Sequence, residues 1–215
     1  MVVFDLDDTL TDWWTAIGSA AADVAGAEGA EALRGVVRRE AWIRRDDGAV
    51  HREHWRLRVE PLTFWQRVFP ESQERASDMA DRFAEKLRVQ LYEDVLATVS
   101  LLSSKAVLGV LSNSPFAAEE LTALGIASSF STVVSVTDPI RKPQPEAFRQ
   151  LLAAIEADPG DVLYVGDSPI SDVEPARAQG IRPVWLDRFH DPWSPPSDVP
   201  RLQTLENLPG LLHKE

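Results

Sequence analysis

Five strand-length apolar runs, distributed over most of the chain, set the strongest limit on what it can fold into. They lie at 2–4, 106–111, 132–136, 162–165 and 182–186, are rich in Val, Leu and Ile, and are bounded by turn residues or charge. Runs of this kind read as strands buried on both faces. Helical patterns separate them: Val95, Leu96, Val99 and Leu102, then 115–124, then 145–155. Strands alternating with helices imply a parallel sheet. Ser114-Pro115 offers an N-cap followed by proline in a first turn, and Gly180 closes a helix expected to begin near Asp172. The expected fold class is α/β, a Rossmann-like parallel sheet core flanked by helices.

The span 13–92 departs from that alternation. No strand pattern appears there, and apolar residues recur at helical spacing: Leu33, Val36, Val37 and Ala41, then Ala76, Met79, Ala80, Phe83, Leu87 and Leu91. Trp55, Phe64, Trp65 and Phe69 add bulky core candidates. The expected organisation is a core of 1–13 and 93–215 interrupted after its first strand by an all-helical domain, 14–92. Hinges are expected near 11–14 and 91–94. The Pro-rich piece 191–200 reads as a surface loop and 202–212 as a short closing helix.

Composition then narrows the chemistry. The 215 residues can bury a full core. Cysteine is absent, which excludes disulfides, thiolate catalysis and cysteine-bound zinc and leaves carboxylates and four histidines. A formal charge of −12 disfavours a nucleic acid polymer as partner. Arg34, Arg38, Arg39, Arg44, Arg45, Arg52, Arg56, Arg58 and Arg67 cluster locally, which reads as a solvated helical face with local ion pairs rather than an anion-attracting surface. No apolar run approaches bilayer length and no secretory pattern opens the chain, so a cytoplasmic, membrane-free protein is expected.

The acids fall at the carboxyl ends of the strand runs, where α/β folds bind ligands. Phe4-Asp5-Leu6-Asp7-Asp8-Thr9 follows the first run, and alternation points Asp5 and Asp7 to one side. Carboxylates so close repel unless a cation lies between them or one is protonated. Magnesium suits such oxygen ligands and keeps positions for water and a phosphate oxygen. Gly166-Asp167-Ser168 ends a second run, with Asp172 beyond, so Asp167 is expected to complete a metal site. Ser112 and Asn113 end a third, offering a hydroxyl and an amide or backbone N–H to a phosphoryl oxygen. In Arg141-Lys142-Pro143-Gln144-Pro145 the lysine is expected to begin a helix and to neutralise a carboxylate and a phosphate together. Taken singly, each piece reads more simply as a turn or a solvated charge; four of them at four strand ends do not.

Phe-Asp-Leu-Asp-Asp-Thr-Leu, Leu-Ser-Asn, Arg-Lys-Pro-Gln-Pro-Glu-Ala-Phe and Val-Gly-Asp-Ser-Pro-Ile-Ser-Asp, in this order and spacing, resemble the four motifs of the haloacid dehalogenase superfamily. The inserted helices resemble the cap of its phosphoglycolate phosphatase-like branch. The resemblance spans about 2–212. Two departures accompany it: the first strand is shorter than usual before Asp5, which puts the expected start codon upstream, and Asp138-Pro139-Ile140 precedes Arg141.

The resemblance implies a Mg2+-dependent phosphoric monoester hydrolase acting on a small phosphorylated metabolite, as a monomer or homodimer. Asp5 would attack phosphorus and form an aspartyl-phosphate. Asp7 would protonate the leaving alkoxide and then activate water, with its backbone carbonyl on the metal. Asp5, Asp7, Asp167 and Asp172 form the implied metal set, Asp172 in the outer shell, while Ser112, Asn113 and Lys142 would hold phosphoryl oxygens. Asp7 favours a phosphatase over a dehalogenase, whose reaction has no alkoxide to protonate. A phosphomutase of the β-phosphoglucomutase type and a non-catalytic binding or regulatory protein are the alternatives.

Overall fold

The computed structural model describes residues 1–36, 57 and 60–212. The chain divides into two compact units, Met1–Asp12 with Leu91–Glu215, and Trp13–Gln90.

The first unit is built on six parallel strands: β1 (Val2–Phe4), β2 (Leu108–Ser112), β3 (Thr132–Ser135), β4 (Leu163–Gly166), β5 (Arg182–Leu186) and β6 (Arg201–Leu202). Their spatial order is β3-β2-β1-β4-β5-β6. β1 lies in the interior of the sheet and is buried throughout, which is why its sequence is continuously apolar rather than alternating. Side-chain parity divides its residues between two cores. Val2 and Phe4 pack with Val95, Val99, Leu102, Val110, Val165 and Leu186, whereas Val3 packs with Leu111, Phe148, Leu151 and Tyr164. Helices α4 (Val95–Ser103), α5 (Ala117–Ala123), α6 (Pro145–Ile155) and α7 (Glu174–Ala178) belong to this unit. Phe4 stands opposite both Val110 and Val165, so β2, β1 and β4 run out at one edge with their following residues side by side.

Several boundaries differ from the sequence expectation. Lys142 does not begin a helix: α6 starts at Pro145, and Gln144 is extended, because a residue before proline is driven out of the helical region. Lys142 stands before Pro143 in the same way. The helix expected from 115 starts at Ala117, after a turn in which the Ser114 hydroxyl accepts from Phe116 N–H at 3.2 Å. The helix expected near Asp172 opens as a π-helical turn, Pro169–Val173, before α7, and Gly180 follows with φ +79°. The closing helix is a 3-10 segment, Leu205–Leu211, and the short strand β6 was not expected at all.

The second unit holds α1 (Trp13–Val36), kinked at Ala25 and Gly26, with α2 (Pro61–Val68) and α3 (Gln73–Lys86). Trp13, Ile17, Ala21, Phe64, Trp65, Phe69, Ala76, Ala80 and Phe83 form its core, with Trp65 stacked on Phe69 at 6.0 Å between ring centres. Each such aromatic, fully buried, stabilises by about 2 kcal/mol. The Ser72 hydroxyl caps α3 by accepting from Arg75 N–H. α3 ends at Lys86, so Leu91 does not continue its apolar face and instead bridges Thr11 in the first unit. Val37, Ala41, Trp55 and the arginines from Arg38 to Arg58 lie outside the described residues. No helix among the described residues is long and apolar enough to cross a membrane.

Candidate active site

Asp5 leaves β1 with its backbone N–H donating to Val165 O at 2.8 Å, which fixes it at the junction of β1 and β4. The chain then folds back at once. Leu10 and Thr11 N–H both donate to Leu6 O, and Asp8 N–H donates to Thr11 O. Asp8 takes φ +58°, a conformation aspartate tolerates better than branched residues do. The Thr11 hydroxyl donates to Leu6 O at 3.2 Å and, at a long 3.5 Å, to Asp7 Oδ1. This turn holds Asp7, partly exposed, two residues from the buried Asp5.

Lys142 supplies the cation. Its Nζ donates to Asp5 Oδ1 and Asp172 Oδ1, both at 2.6 Å, and to Tyr164 Oη at 3.0 Å, and the side chain is 2% exposed. A buried lysine persists only when its charge is matched this closely. Asn113 explains how the loop holds it there: its amide N–H donates to Lys142 O at 3.1 Å while its Oδ1 accepts from Lys142 N–H at 2.8 Å. Ser112 is buried, and its hydroxyl accepts from Ser114 N–H.

Gly166 is required by contact. A Cβ at this position would lie 2.5 Å from Asp172 Cβ and Cγ, inside any tolerable separation, so only glycine lets Asp172 approach β4. Asp172 is in turn fixed by Tyr164 Oη–H at 2.9 Å and by Ser168 N–H at 3.0 Å. Trp185 Nε1–H donates to Asp167 O, anchoring the neighbouring backbone.

Among the described residues, Asp5, Asp167 and Asp172 bring one carboxylate oxygen each to within 4.8 Å of one another, all buried. Three carboxylates against one lysine leave excess negative charge in a dry site, and oxygen donors of this kind suit a hard divalent cation. The donor set therefore fits magnesium. The electrostatics agree: burial, with Asp172 and Asp7 adding to it, pushes Asp5 up to about 8 although Lys142 pulls the other way. For Lys142 burial opposes the charge, but Asp172 and Asp5 outweigh it and hold the ammonium protonated. Burial, then Asp172 and Asp5, raise the Tyr164 phenol well above its ordinary value, so it remains a hydrogen-bond donor.

Asp5, Lys142, Asp167 and Asp172 thus meet in one buried group. The Asp7 carboxylate is not one of the three clustered carboxylates. The Asn113 side chain is committed at both ends to the Lys142 peptide. Sequence reasoning passed over Tyr164. Its signal was available: a hydroxyl-bearing side chain in a buried strand run, opposite Val3 on the parity that Asp5 continues.

The haloacid dehalogenase-like hydrolase family matches residues 1–180. A phosphoglycolate phosphatase of Yersinia pseudotuberculosis is 31% identical over 199 residues, 86% of this chain and 79% of that protein. A phosphoserine phosphatase of Thermus thermophilus is 34% identical over 154 residues, 64% of this chain and 62% of its own length, so the match spans less than two thirds of that relative. Among solved structures, a 2-haloacid dehalogenase of Pseudomonas syringae pv. tomato superposes with TM-score 0.64 at 27% identity, covering 98% of this chain and 96% of that one. On family match and shared identity together, this chain belongs to the haloacid dehalogenase-like hydrolases.

Proposed function

We propose that this hydrolase is a Mg2+-dependent phosphatase that cleaves a small phosphorylated metabolite through an aspartyl-phosphate on Asp5, with Trp13–Gln90 as its cap. The observation that carries the reading is Lys142 Nζ, 2.6 Å from both Asp5 and Asp172 in a buried group that also includes Asp167. Such a cluster presents a fixed carboxylate beside charge suited to an anionic substrate.

Asp5 carries the nucleophilic oxygen, and Lys142 orients it and offers a proton-rich partner to the phosphoryl oxygens. Ser112, through its hydroxyl, and Asn113, through its backbone, stand at the end of β2 to receive the same group. Asp7 protonates the departing alkoxide and later takes a proton from the attacking water, acting from the adjoining turn. Asp172 and Tyr164 keep Lys142 in place. Asp5 and Asp167 would hold magnesium with the Asp7 carbonyl, Asp172 steadying the ligands from outside. A magnesium ion held there supplies positive charge that favours ionised Asp5 and offsets the charge of the phosphoryl group. The cap would admit substrate and exclude water.

The curated relatives support a phosphate ester as substrate, and Asp7 argues against the carbon–halogen chemistry of the dehalogenase neighbours. A soluble cytoplasmic enzyme fits a small-metabolite substrate. The test is phosphate release from a panel of 2-phosphoglycolate, phosphoserine, sugar phosphates and nucleoside monophosphates, with magnesium, with chelator, and with Asp5→Asn. Release that disappears under chelation and in the variant is expected. Release that survives either contradicts the proposal, and phosphoryl transfer to a second sugar hydroxyl without release indicates a mutase.

A further inference from the structure

We infer that Arg188 is a positioning residue that clamps the turn carrying Asp7, an inference that rests on the phosphatase reading for Asp7's role but not for the clamp itself. Arg188 follows β5, outside the four motifs and 179 residues from Thr9, yet Nε and one terminal nitrogen both donate to Thr9 O, at 3.2 and 2.8 Å. The same guanidinium makes a two-pronged pair with Asp94, each prong at 3.0 Å, with both side chains 9% exposed. Its planar carbon lies 3.9 Å above the centre of the Tyr92 ring. Arginine alone can serve these partners at once, because its fork is rigid and its five N–H groups diverge.

The partners tie three stretches to the turn. Tyr92 N–H donates to Leu10 O at 3.1 Å, and the Tyr92 hydroxyl meets Asp12 at 3.4 Å. Asp94 also accepts from Thr204 Oγ1–H and Leu205 N–H, both at 2.8 Å. Burial opposes the Asp94 charge, but these donors together hold the carboxyl below its usual range. Arg188 therefore sits where the chain leaves the α/β unit after Asp12 and where it returns at Leu91, and it grips the carbonyl two residues from Asp7. Nothing in it touches the reacting atoms. Its effect on chemistry passes through the placement of Asp7, and that placement matters most when the leaving group needs a proton.

The test uses Arg188→Lys and Asp94→Asn, with Arg201→Gln as a control that breaks the separate pair to Asp187 without reaching Thr9. Amide hydrogen exchange reads the clamp without substrate: the N–H groups of Thr9, Leu10 and Thr11 should exchange at least about tenfold faster in both variants and not in the control. Turnover reads the consequence: kcat/KM, which reports the first transfer to Asp5 and not the water-activating step common to all esters, should fall about tenfold more for the alkyl phosphate hydrolysed fastest in the panel than for p-nitrophenyl phosphate, whose leaving group departs unprotonated. A general loss of stability would slow both esters alike. Unchanged exchange overturns the clamp, and an equal fall for both esters overturns its link to Asp7. If the wild type releases phosphate from neither ester, the functional reading fails while the exchange result still decides the clamp.

Discussion

The two units bury different things. Asp5, Asp8, Thr9, Thr11, Ser112, Lys142, Asp167 and Asp172 are buried polar groups of the α/β unit, and no buried polar or charged residue among those described belongs to Trp13–Gln90. The helical unit is held by interchangeable apolar volume, which cores accept in many combinations. The α/β unit is held in part by charges whose partners have fixed directions, and removing one leaves the others exposed to a low dielectric. Sequence should therefore be constrained atom by atom near Asp5 and only by size and polarity between α1 and α3.

The sharpest way to break this contrast is Lys142→Met. It keeps the length of the side chain but leaves Asp5 and Asp172 without their shared cation, and kcat should fall by about 10³ in a steady-state phosphate assay, as when one electrostatic donor is lost from other enzyme sites. Retained activity would mean that the buried charge is structural. Gly166→Ala comes next. One methyl group pressed against Asp172 displaces it, and a shift on the order of 1 Å at a catalytic group costs about 10²-fold in kcat.

The third prediction concerns pH. With Asp5 pushed up to about 8, the metal-free folded protein holds a proton that the unfolded chain loses near its ordinary carboxylate value of about 4. Between those values the native state binds more protons, so stability falls as pH rises through the window. The thermal midpoint in chelator should drop from about pH 5 to about pH 8 in the wild type and less in Asp5→Asn. The smallest effect is expected from Met79→Leu in α3: less than about 1.5 kcal/mol in stability and no change in kcat. A large loss of activity there would erase the distinction between the units.

How far the sequence foretold this depends on the kind of interaction. Strands β1 and β5 were legible to the residue because both are short, apolar and closed by turns or charge. Asp5, Asp167 and Asp172 were legible as a group because strand ends in a parallel sheet share an edge. The grip of the Asn113 side chain on the Lys142 peptide was not legible, because two loops 29 residues apart must be folded before that pairing exists. Arg188 escaped altogether, since its partners Thr9 and Asp94 are 179 and 94 residues away, and one of them is a carbonyl that any residue type would present. β6 was missed because two residues carry no periodicity, and its pairing is set by its neighbour β5.

The central claim, that Asp5 is the atom donor behind phosphorus, can be observed as a covalent product. In Asp7→Asn, p-nitrophenyl phosphate can still phosphorylate the enzyme because its leaving group needs no acid, but the next step lacks its base, so the intermediate should build up. Acid quenching followed by peptide mass analysis should find one phosphoryl group on the peptide containing Asp5, and none when chelator is present or when Asp5→Asn is added. Turnover in the wild type with no phosphoryl group on that peptide in the Asp7→Asn trap, or with the group on a different peptide, would contradict the account.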